Sequence, residues 1–575
     1  MNAPRSARFD AIRADGSFDA IVVGGGINGV GVFRELSLQG LRVLLVERVD
    51  FCSGCSAAPS RMIHGGLRYL ENGEFGLVRE SLRERDALLR NAPHMVRPLA
   101  TVVPITSVFS GLFNAAASFF RLSTRPARRG AVPLRIGLSI YDWVTRSRRA
   151  LPRHRFLGAR AAFQKWPKLT SRMRFAAVFY DAWISYPERL GVEIVVDTAM
   201  MAPDSVALNY AEIAGDGSGF VITDSETGTR YPVTTKTVVN ATGAWLDESL
   251  ATLVPADSRP DQLVEGTKGS HLVLDNPELY DALDGHMVYF DNSDGRICIA
   301  FGYLGRVLAG STDIKVERAE RVRCEDDERD YILESLRAVF PTVAVSADQI
   351  VYSFSGIRPL LKSAHDFTGR ITRGHDVKRI DGDVPQYCMI GGKWTTFRAF
   401  AQDTADEVLA ELGRERTTST VELGIGGGRD FVDSSAIATD LISTWGVSDA
   451  RAAHLVDAYG TRASAVMEFC AGRDDDQPVG VGVQLTAAEI AFMVQHEYAT
   501  RLGDLIMRRT AVAITGAVDA GLIETIATVA AAELGWDDER RLAEIGELVT
   551  DLEEYNRVDR DALDRRTMER TVECA

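Results

Sequence analysis

Three glycines near the start of the chain stand at a spacing that is typical of phosphate binding. Gly24, Gly26 and Gly29 occur where the short apolar run 18–26 ends and a segment of helical spacing, 27–40, begins. Glycines here let the chain turn tightly and let a pyrophosphate approach the backbone, while the helix start supplies free N–H groups. The motif predicts a dinucleotide site whose contacts come from Gly24, Gly26, Ile27, Asn28 and Gly29.

An acidic residue ends the next predicted strand. The run 41–48 reads as a second buried strand and carries Glu47, 18 residues beyond Gly29. A carboxylate at this place can accept hydrogen bonds from both ribose hydroxyls. Strand, turn, helix, strand and acid all match, which predicts the opening unit of a doubly wound parallel sheet with Glu47 and Arg48 at the cofactor.

Two distant segments favour FAD over NAD. Residues 237–245 form a buried run that ends in Ala-Thr-Gly, and residues 390–400 form a second glycine turn that opens a helix. A chain that folds distant segments around one nucleotide site suits an extended cofactor, whose flavin must reach beyond the ADP half. The FAD contacts expected in these segments are Ala241, Thr242, Gly243, Gly392, Lys393, Trp394 and Thr395.

Three further motifs concentrate cationic side chains, at 60–71, 268–271 and 355–361. Arg358 lies between Ile and Pro in an apolar turn, and an arginine is costly to bury unpaired. Such an arginine is typical of a carboxylate or phosphate clamp, with a structural salt bridge as the alternative. For 60–71 a simple surface turn is the alternative. The side chains concerned are His64, Arg68, Tyr69, His271 and Arg358.

Composition indicates an ordinary globular protein of more than one domain. The chain has 575 residues, of which 46% are hydrophobic and 25% charged.

Seven cysteines, an odd number, do not form a disulfide framework and indicate a reducing compartment. Cys52 and Cys55 are expected to be packing residues, with a redox pair as the alternative. No metal-binding spacing is present. Residues 1–17 lack an apolar signal core and are expected to form a loose tail.

Charge is distributed unevenly along the chain. The formal net charge is −15, and from residue 401 onward there are 16 basic against 34 acidic residues, or −18, which leaves +3 for the first 400 residues. An acidic carboxyl-terminal part argues against nucleic acid as a partner and favours a separate, solvated module.

One stretch raises the question of a membrane. Residues 98–120 carry no charge, and residues 121–155 hold ten arginines against one acid, Asp142. An apolar stretch followed by a basic cluster fits a surface-lying anchor on anionic lipid. A buried helix followed by a solvated loop is the alternative, and the stretch is too polar for a transmembrane span.

The order of these elements predicts an α/β fold. We expect a doubly wound, Rossmann-like FAD-binding domain with an interleaved β-rich substrate domain, followed by an all-α carboxyl-terminal domain. A break in pattern near 415–430 separates the two parts. The predicted divisions are a tail at 1–17, the oxidoreductase part at 18–415 with its substrate portion mainly at 100–190 and 263–350, and the helical domain at 425–575.

Seven motifs in order give the chain a family resemblance. GGGINGVG, HGGLRYLE, NATGAW, KGSH, GSTD, SGIRPLL and GGKWTTFR together resemble the FAD-dependent glycerol-3-phosphate dehydrogenases over about residues 20–410. HEYATRLGDLIMRRT at 496–510 and ELGWDDERRLAEI at 533–545 continue the resemblance. It implies oxidation of sn-glycerol 3-phosphate at C2 to dihydroxyacetone phosphate, hydride transfer to flavin N5 and reoxidation by a membrane quinone. It also implies a cytoplasmic protein at the inner face of the membrane, and a homodimer is compatible with it.

The same resemblance implies roles for the cationic residues. Arg68 and Tyr69 would lie at the substrate, and Arg68 and Arg358 would hold the phosphate or the alkoxide oxygen. Lys393 would stabilise negative charge on the substrate oxygen or the reduced ring. His271 would be the base, because an ordinary pKa near 6.5 suits it to accept the hydroxyl proton. His64 would contact the flavin.

Three segments depart from the family pattern. Residues 55–61 replace a hydroxyl-rich run beside FAD, and residues 185–189 and 300–302 differ in the substrate half. The last two departures leave a longer polyol phosphate, such as erythritol phosphate, open as the substrate. The FAD contacts still expected in this region are Ser56, Ser60, Arg61, His64, Gly65 and Gly66.

Two further functions are alternatives: an oxygen-using polyol-phosphate oxidase and a non-catalytic nucleotide-binding module. The presence of Arg68, His271, Arg358 and Lys393 argues against the non-catalytic module.

Overall fold

The computed structural model describes residues 4–66, 74–106, 131–144, 151–217, 219–292, 294, 296–362 and 374–573. Arg68 and Tyr69 lie outside the described residues, as do residues 107–130 of the apolar stretch and the arginine cluster. The expectations for these residues therefore stay predictions.

The glycine motif belongs to a six-stranded sheet with a parallel centre. Ala20–Val23 pairs in parallel with Val43–Val46 on one side and with Val238–Asn240 on the other. Every residue of the first two strands is buried, as befits strands covered on both faces, which explains their continuous apolar runs. The strand order is His375–Ile380, Gln386–Gly391, Val238–Asn240, Ala20–Val23, Val43–Val46 and Val206–Leu208.

Helices cover this sheet and confirm the doubly wound α/β class. Ile27–Ser37 packs against Phe397–Glu411 and Pro187–Met201. Phe33 and Phe400 are fully buried in the core that these helices form with the sheet. The first helix thus starts at the glycine turn and is fixed along its length by apolar packing.

A larger, mostly antiparallel sheet alternates along the chain with segments of the first. The predicted β-rich portion interleaved with the nucleotide fold is therefore present. A third sheet of four strands contains Ser17–Phe18, Arg230–Thr235, Phe220–Asp224 and Ala211–Gly215. The ten strands of the large sheet are Met62–Ile63, Val96–Ile105, Arg155–Gly158, Phe175–Ile184, Val264–Leu274, Met287–Asp291, Ile297–Tyr303, Arg306–Gly310, Ile314–Val316 and Ile350–Leu361.

The remaining helices lie between these strands and in the carboxyl-terminal part. Those between the strands are Phe75–Asn91, Ala131–Val144, Ala159–Lys165, Leu246–Leu253, Pro277–Ala282 and Asp326–Val339. After the predicted break they are Ser434–Trp445, Asp449–Tyr459, Ala463–Ala471, Ala487–His496, Leu502–Asp504, Ala520–Leu534, Asp538–Asn556 and Arg560–Glu573, with a π-helical turn at Leu505–Arg509.

The expectation of a loose amino-terminal tail is wrong. Arg5–Ala14 forms a helix that buries Phe9 and Ile12, and the Phe9 ring stacks on Tyr231 with centroids 4.9 Å apart. Arg5 pairs with Asp224 at 2.6 Å. Two apolar residues three apart make a weak helical pattern, so tertiary contacts decide this helix.

The apolar stretch begins as a strand. Residues 98–105 belong to Val96–Ile105, which pairs with Phe175–Ile184, so a single buried helix over 98–120 is excluded. Within the described ranges, no helix has the length and apolarity needed to cross a bilayer.

Candidate active site

The glycine turn forms a cradle that side chains would fill. Gly24 has φ of +101°, and a Cβ atom there would lie 2.8 Å from the carbonyl oxygen of Ala241. A Cβ on Gly29 would lie 1.9 Å from the oxygen of Gly24. Gly26 precedes the helix Ile27–Ser37 and has no side chain that could cap it. An uncapped helix start of this kind is suited to binding a phosphate. The backbone here fits the pyrophosphate of FAD.

Glu47 is held in place by backbone donors. Its two carboxylate oxygens accept from the N–H of Gly25 at 2.7 Å and of Val49 at 2.9 Å. Burial raises the pKa of the Glu47 carboxyl. Each oxygen keeps a further lone pair for a ribose hydroxyl. The neighbouring Arg48 guanidinium lies 5.1 Å from the Trp245 ring centroid.

The segments predicted to close around FAD do come together. The indole N–H of Trp394 donates to the carbonyl of Ser56 at 2.9 Å, and the Ser56 hydroxyl accepts from the N–H of Ile27 at 2.9 Å. Asn28 donates to the carbonyl of Gly391 at 3.1 Å. A cavity of about 1210 Å³ runs between them. Its walls include Gly24, Gly26, Ile27, Asn28, Glu47, Arg48, Ser56, Arg61, Ala241, Thr242, Gly243, Gly392, Lys393 and Trp394.

The described residues that line this cavity do not include four other predicted FAD contacts, which are His64, Gly65, Gly66 and Thr395. The Thr395 hydroxyl accepts from the N–H of His64 at 3.2 Å. The N–H of Gly65 donates to Asp181 at 2.9 Å, and a Cβ there would lie 2.2 Å from the Tyr141 hydroxyl oxygen. Gly66 has φ of +78°, which favours glycine.

Two antiparallel strands bring the predicted catalytic residues together. Val264–Leu274 pairs with Ile350–Leu361 in a register that sets Thr267 opposite Arg358 and His271 opposite Phe354. Side chains alternate across a sheet, so His271 and Arg358 share one face. On the same face, a Cβ on Gly356 would lie 2.7 Å from that of Ala58 in the FAD loop. The pairing thus places the face that carries His271 and Arg358 against the cofactor loop.

Arg358 is fixed by the GSTD segment. Its guanidinium donates to the Asp313 carboxylate at 3.2 Å and to the Ser311 hydroxyl at 3.2 Å. The opposite strand leaves room for it, because a Cβ on Gly269 would lie 2.0 Å from Nη2 of Arg358. The salt bridge left open by sequence is present, and the Arg358 side chain is partly exposed.

We expect Gly269→Ala to displace the Arg358 guanidinium without unfolding the protein. The added methyl group meets the end of a flexible side chain, and alanine in a strand relieves the entropy cost of glycine by about 0.5–1 kcal/mol. kcat/KM should fall about tenfold or more while the melting temperature holds or rises. Steady-state kinetics and calorimetry check this, with Gly76→Ala, where nothing lies within 4 Å of the new atom, as the control. Unchanged kinetics would show that Arg358 is not sterically held by Gly269.

His271 does not have the ordinary pKa that its assignment as the base assumed. Burial, and then the charges of Arg358 and Arg61, lower the pKa of His271 to about 3. Its Nε2 is 2.8 Å from the Ser60 hydroxyl, and its ring stacks on Phe354 with centroids 4.9 Å apart. The imidazole is therefore neutral at pH 7.

The pH dependence of stability tests this environment. Since the pKa of His271 falls from about 6.5 in the unfolded chain to about 3, the unfolded state binds the extra proton between these values. His271 should thus lower the free energy of unfolding by up to about 1.4 kcal/mol per pH unit as pH falls from 6.5 to 3. Urea unfolding across this range should show a shallower slope for His271→Gln than for wild type. Parallel slopes would contradict the neutral buried imidazole.

Lys393 lies on the cofactor side of the cavity. It follows Gly392, whose φ is +92°, and its ammonium donates to the Ser81 hydroxyl at 3.3 Å. A Cβ on Gly392 would lie 2.5 Å from the side chain of Asn28, so this second glycine turn touches the first. Lys393 is thereby tied to the nucleotide cradle.

Arg61 lines the cavity and also forms a buried ion pair. Its guanidinium donates to both carboxylate oxygens of Glu188, at 2.6 and 2.7 Å, and to the carbonyl of Ala57 at 3.1 Å. This buried ion pair holds the loop, and the expected contact between Arg61 and FAD stays a prediction. A buried arginine needs such a carboxylate, which the sequence could not identify.

Sequence reasoning missed a buried network between the cofactor loop and the helical domain. Asp50 is completely buried and accepts from Arg508 at 2.6 Å and from both terminal nitrogens of Arg509 at 2.6 and 2.9 Å. Asn209 also donates to Asp50, at 3.1 Å. The adjacent arginines in an otherwise apolar segment were the available signal, since they require buried acceptors.

The departures from the family pattern have structural partners. A Cβ on Gly302 would lie 2.9 Å from the Tyr280 ring, so Tyr280 occupies that space. Arg189 pairs with Glu497 of the helical domain at 2.7 Å. These contacts do not themselves widen a substrate pocket, and the longer substrate stays a prediction.

In the described part of the chain, the two cysteines of the cofactor loop and the candidate metal ligands do not add a reactive group to the site. Cys52 and Cys55 are free thiols, and a Cβ on Gly191 would lie 2.2 Å from the sulfur of Cys52. Tight packing of Cys52 agrees with the packing interpretation. Within the described ranges, no group of three or more His, Cys, Asp or Glu side chains could hold a metal ion.

The fold and the cradle define a class, the FAD-dependent oxidoreductases with a β-rich second domain. The profile described as "FAD dependent oxidoreductase" matches residues 19–406, and that of the "C-terminal domain of alpha-glycerophosphate oxidase" matches residues 418–541. FAD is the cofactor of this class, and the glycine cradle and Glu47 fit it.

Curated relatives specify the class further. A glycerol-3-phosphate dehydrogenase of Synechocystis is 31% identical over 91% of this chain and 94% of its own length. The aerobic glycerol-3-phosphate dehydrogenase of Escherichia coli is 30% identical over 86% of this chain and 93% of its own. The solved structure of the Bacillus halodurans glycerol-3-phosphate dehydrogenase with FAD shares the fold, with a TM-score of 0.74 at 23% identity over 96% of this chain and 98% of its own. The chain belongs to the FAD-dependent glycerol-3-phosphate dehydrogenase family.

Proposed function

We propose that this protein oxidises sn-glycerol 3-phosphate to dihydroxyacetone phosphate and passes the electrons to a membrane quinone. The observation that carries the proposal is the strand pair that sets His271 and Arg358 on one face against the FAD loop. Family membership agrees with this placement. The FAD cradle is formed by the Gly24–Gly29 turn, Glu47 and the Gly392–Trp394 turn; bound FAD supplies the acceptor for the hydride that leaves C2.

Arg358 binds the negative charge of the substrate. A guanidinium presents its donors in a planar fork, which matches a phosphate or an alkoxide better than a point charge does. Asp313 and Ser311 hold this fork in one orientation. Arg68 and Tyr69 complete the substrate contacts in this proposal.

His271 contributes as a neutral imidazole that accepts the hydroxyl proton. Burial, and then the charges of Arg358 and Arg61, lower the pKa of His271. A phosphate dianion that binds Arg358 offsets one of these charges. Substrate binding therefore makes His271 a better base than it is in the free protein. Lys393 holds negative charge as it develops on the oxygen or on the reduced ring.

The quinone and the membrane are the finer part of the proposal. The ten arginines of residues 121–155 next to an uncharged stretch suit a peripheral contact with anionic lipid at the inner face of the cytoplasmic membrane. No described helix crosses the bilayer, which leaves peripheral association as the form proposed. A homodimer is compatible with this form of association.

Anaerobic reduction of the bound flavin tests the proposal. The purified holoenzyme should lose its flavin absorbance with sn-glycerol 3-phosphate faster than with four- and five-carbon polyol phosphates. Reoxidation should be faster with a soluble quinone analogue than with air. Failure of every three-carbon phosphate to reduce the flavin would overturn the proposed substrate, and peroxide formation at full turnover in air would favour the oxidase alternative.

A further inference from the structure

A buried carboxylate lies between the strand Val264–Leu274 and the GSTD segment, residues 310–313. It belongs to Glu328, in the first turn of the helix Asp326–Val339, and Glu328 is 2% exposed. Its Oε1 accepts from the Thr312 hydroxyl at 2.7 Å and from the Ser270 hydroxyl at 2.8 Å. One oxygen of this carboxylate thus joins the strand to the GSTD segment.

The other oxygen of Glu328 also has donors. Oε2 lies 2.6 Å from the Lys268 ammonium and accepts from the N–H of Glu325 at 3.1 Å. Burial raises the pKa of Glu328, but hydrogen bonds from Lys268 and Thr312 outweigh burial, so the pKa lies below its ordinary value. The group is therefore a charged carboxylate at neutral pH. A buried polar network whose members are all satisfied is rigid and specifies one arrangement.

Thr312 faces Glu328 with its side chain and Arg358 with its backbone. While its hydroxyl donates to Glu328, its carbonyl oxygen accepts from both terminal nitrogens of Arg358 at 3.4 Å. The flanking residues Ser311 and Asp313 accept from the same guanidinium, each at 3.2 Å. Thr312 therefore connects the buried carboxylate to Arg358 through hydrogen bonds at both ends.

Two serines bring both strands of the site into the same network. The Ser270 hydroxyl, which donates to Glu328, lies 2.7 Å from the Ser355 hydroxyl on the opposite strand. Ser270 precedes His271, and Ser355 lies three residues before Arg358. The two strands are thus held together beside the residues that the proposed function uses.

We propose that Glu328 is a positioning residue for Arg358, an inference that rests on the proposed function. Glu328 fixes Thr312, and Thr312 fixes the guanidinium through its carbonyl oxygen. An arginine side chain is long and flexible, so its planar fork meets a phosphate in one orientation only when its own acceptors are fixed. Glu328 acts through Thr312 and does not itself bind the substrate.

Thr312→Val and Glu328→Gln break this connection from its two sides. Valine keeps the shape of threonine without the hydroxyl, and glutamine replaces one acceptor oxygen with an N–H donor. In the full-length holoenzyme, kcat/KM for sn-glycerol 3-phosphate should fall about tenfold to hundredfold in each variant. Most of the loss should appear in KM, because the phosphate carries its charge both before and during the reaction. Thr312→Ser, which keeps the hydroxyl, should recover most of kcat/KM.

The Arg358→Ala background separates positioning from packing. If Glu328 acts through Arg358, then Thr312→Val should cause no further loss of kcat/KM in that background, so the two effects should be non-additive. A loss of the same size in both backgrounds would assign the effect to packing and overturn the inference. Wild-type kinetics in Thr312→Val and Glu328→Gln would overturn it as well.

Glu325→Ala is the matched control at the same helix start. The side chain of Glu325 caps the helix reciprocally with that of Glu328, so its removal should lower the melting temperature. The carboxylate on Thr312 remains, so kcat/KM should stay near wild type, and a loss equal to that of Glu328→Gln would contradict the positioning role. A wild-type flavin that sn-glycerol 3-phosphate does not reduce would instead overturn the proposed function, and the positioning role with it.

Discussion

Replacing Arg358 with alanine is expected to lower kcat/KM for sn-glycerol 3-phosphate by about 2–5 kcal/mol in transition-state terms, or roughly 30- to 5000-fold. The guanidinium supplies the fork for a dianion, and its removal also takes away the ion pair with Asp313, 3.2 Å away. Steady-state kinetics on the holoenzyme, with FAD content measured in parallel, give the result.

Two further variants assign the loss to its cause. Arg358→Lys keeps the charge but not the planar fork, so it should recover only part of the rate if bidentate binding matters. Arg337→Ala removes an arginine whose guanidinium binds only the carbonyl of Val345 among the contacts described, and it should leave kinetics near wild type. A near-native kcat/KM for Arg358→Ala would contradict the proposal that Arg358 binds the substrate.

Replacing Asp50 with alanine is expected to lower both stability and FAD affinity. The change leaves Arg509, fully buried, without its carboxylate, and breaking such a pair costs about 3–5 kcal/mol. Asp50 lies in the loop that follows Glu47, and the N–H of Cys52 in that loop donates to the carbonyl of Gly25 at 2.9 Å. Loss of the pair should therefore loosen the FAD cradle and weaken FAD binding by about tenfold or more, equivalent to 1.4 kcal/mol. Urea unfolding and FAD titration of the apoprotein measure the two effects.

An exposed ion pair between the helical domain and the rest of the chain provides the control. Asp551 binds Arg321 at 2.7 Å, but both side chains are well exposed, so Asp551→Ala should change stability by about 1 kcal/mol at most. FAD affinity equal to wild type in a folded Asp50→Asn protein would show that the helical domain does not support the cradle.

The dependence of stability on acid pH provides a second test of the Asp50 network. The buried arginines lower the pKa of Asp50 to about 2 against burial, which alone would raise it. Since the unfolded pKa is about 3.9, the contribution of Asp50 to stability is present above pH 4 and is lost as pH falls toward 2. Asp50→Asn should lack this part of the acid dependence, whereas Asp551→Ala should keep it.

The local patterns predicted the nucleotide half well. Gly24, Gly26, Gly29 and Glu47 act through backbone geometry and a short sequence distance, so their spacing carries the information. Continuous apolar runs likewise indicated buried parallel strands. By contrast, the helix Arg5–Ala14 depends on contacts with residues more than 200 positions away, which no local pattern contains.

The charged residues of the site show most clearly what sequence patterns could not predict. The resemblance implied that His271 is the base, but the pKa of His271 follows from burial and from cations on other segments. The ion pair of Arg61 with Glu188 was likewise not predicted from the sequence. The free energy of a charge depends on what surrounds it in space, so side-chain type and spacing cannot supply it.

The sequence by itself determined the class of this protein, because turns, helix starts and buried strands are built from neighbours in the chain and leave a readable pattern. Only the tertiary structure decided which charges meet: Arg358 with Asp313, and Asp50 with Arg509. Electrostatic energies fall with distance through space and not along the chain, and those pairs join residues that folding alone brings together.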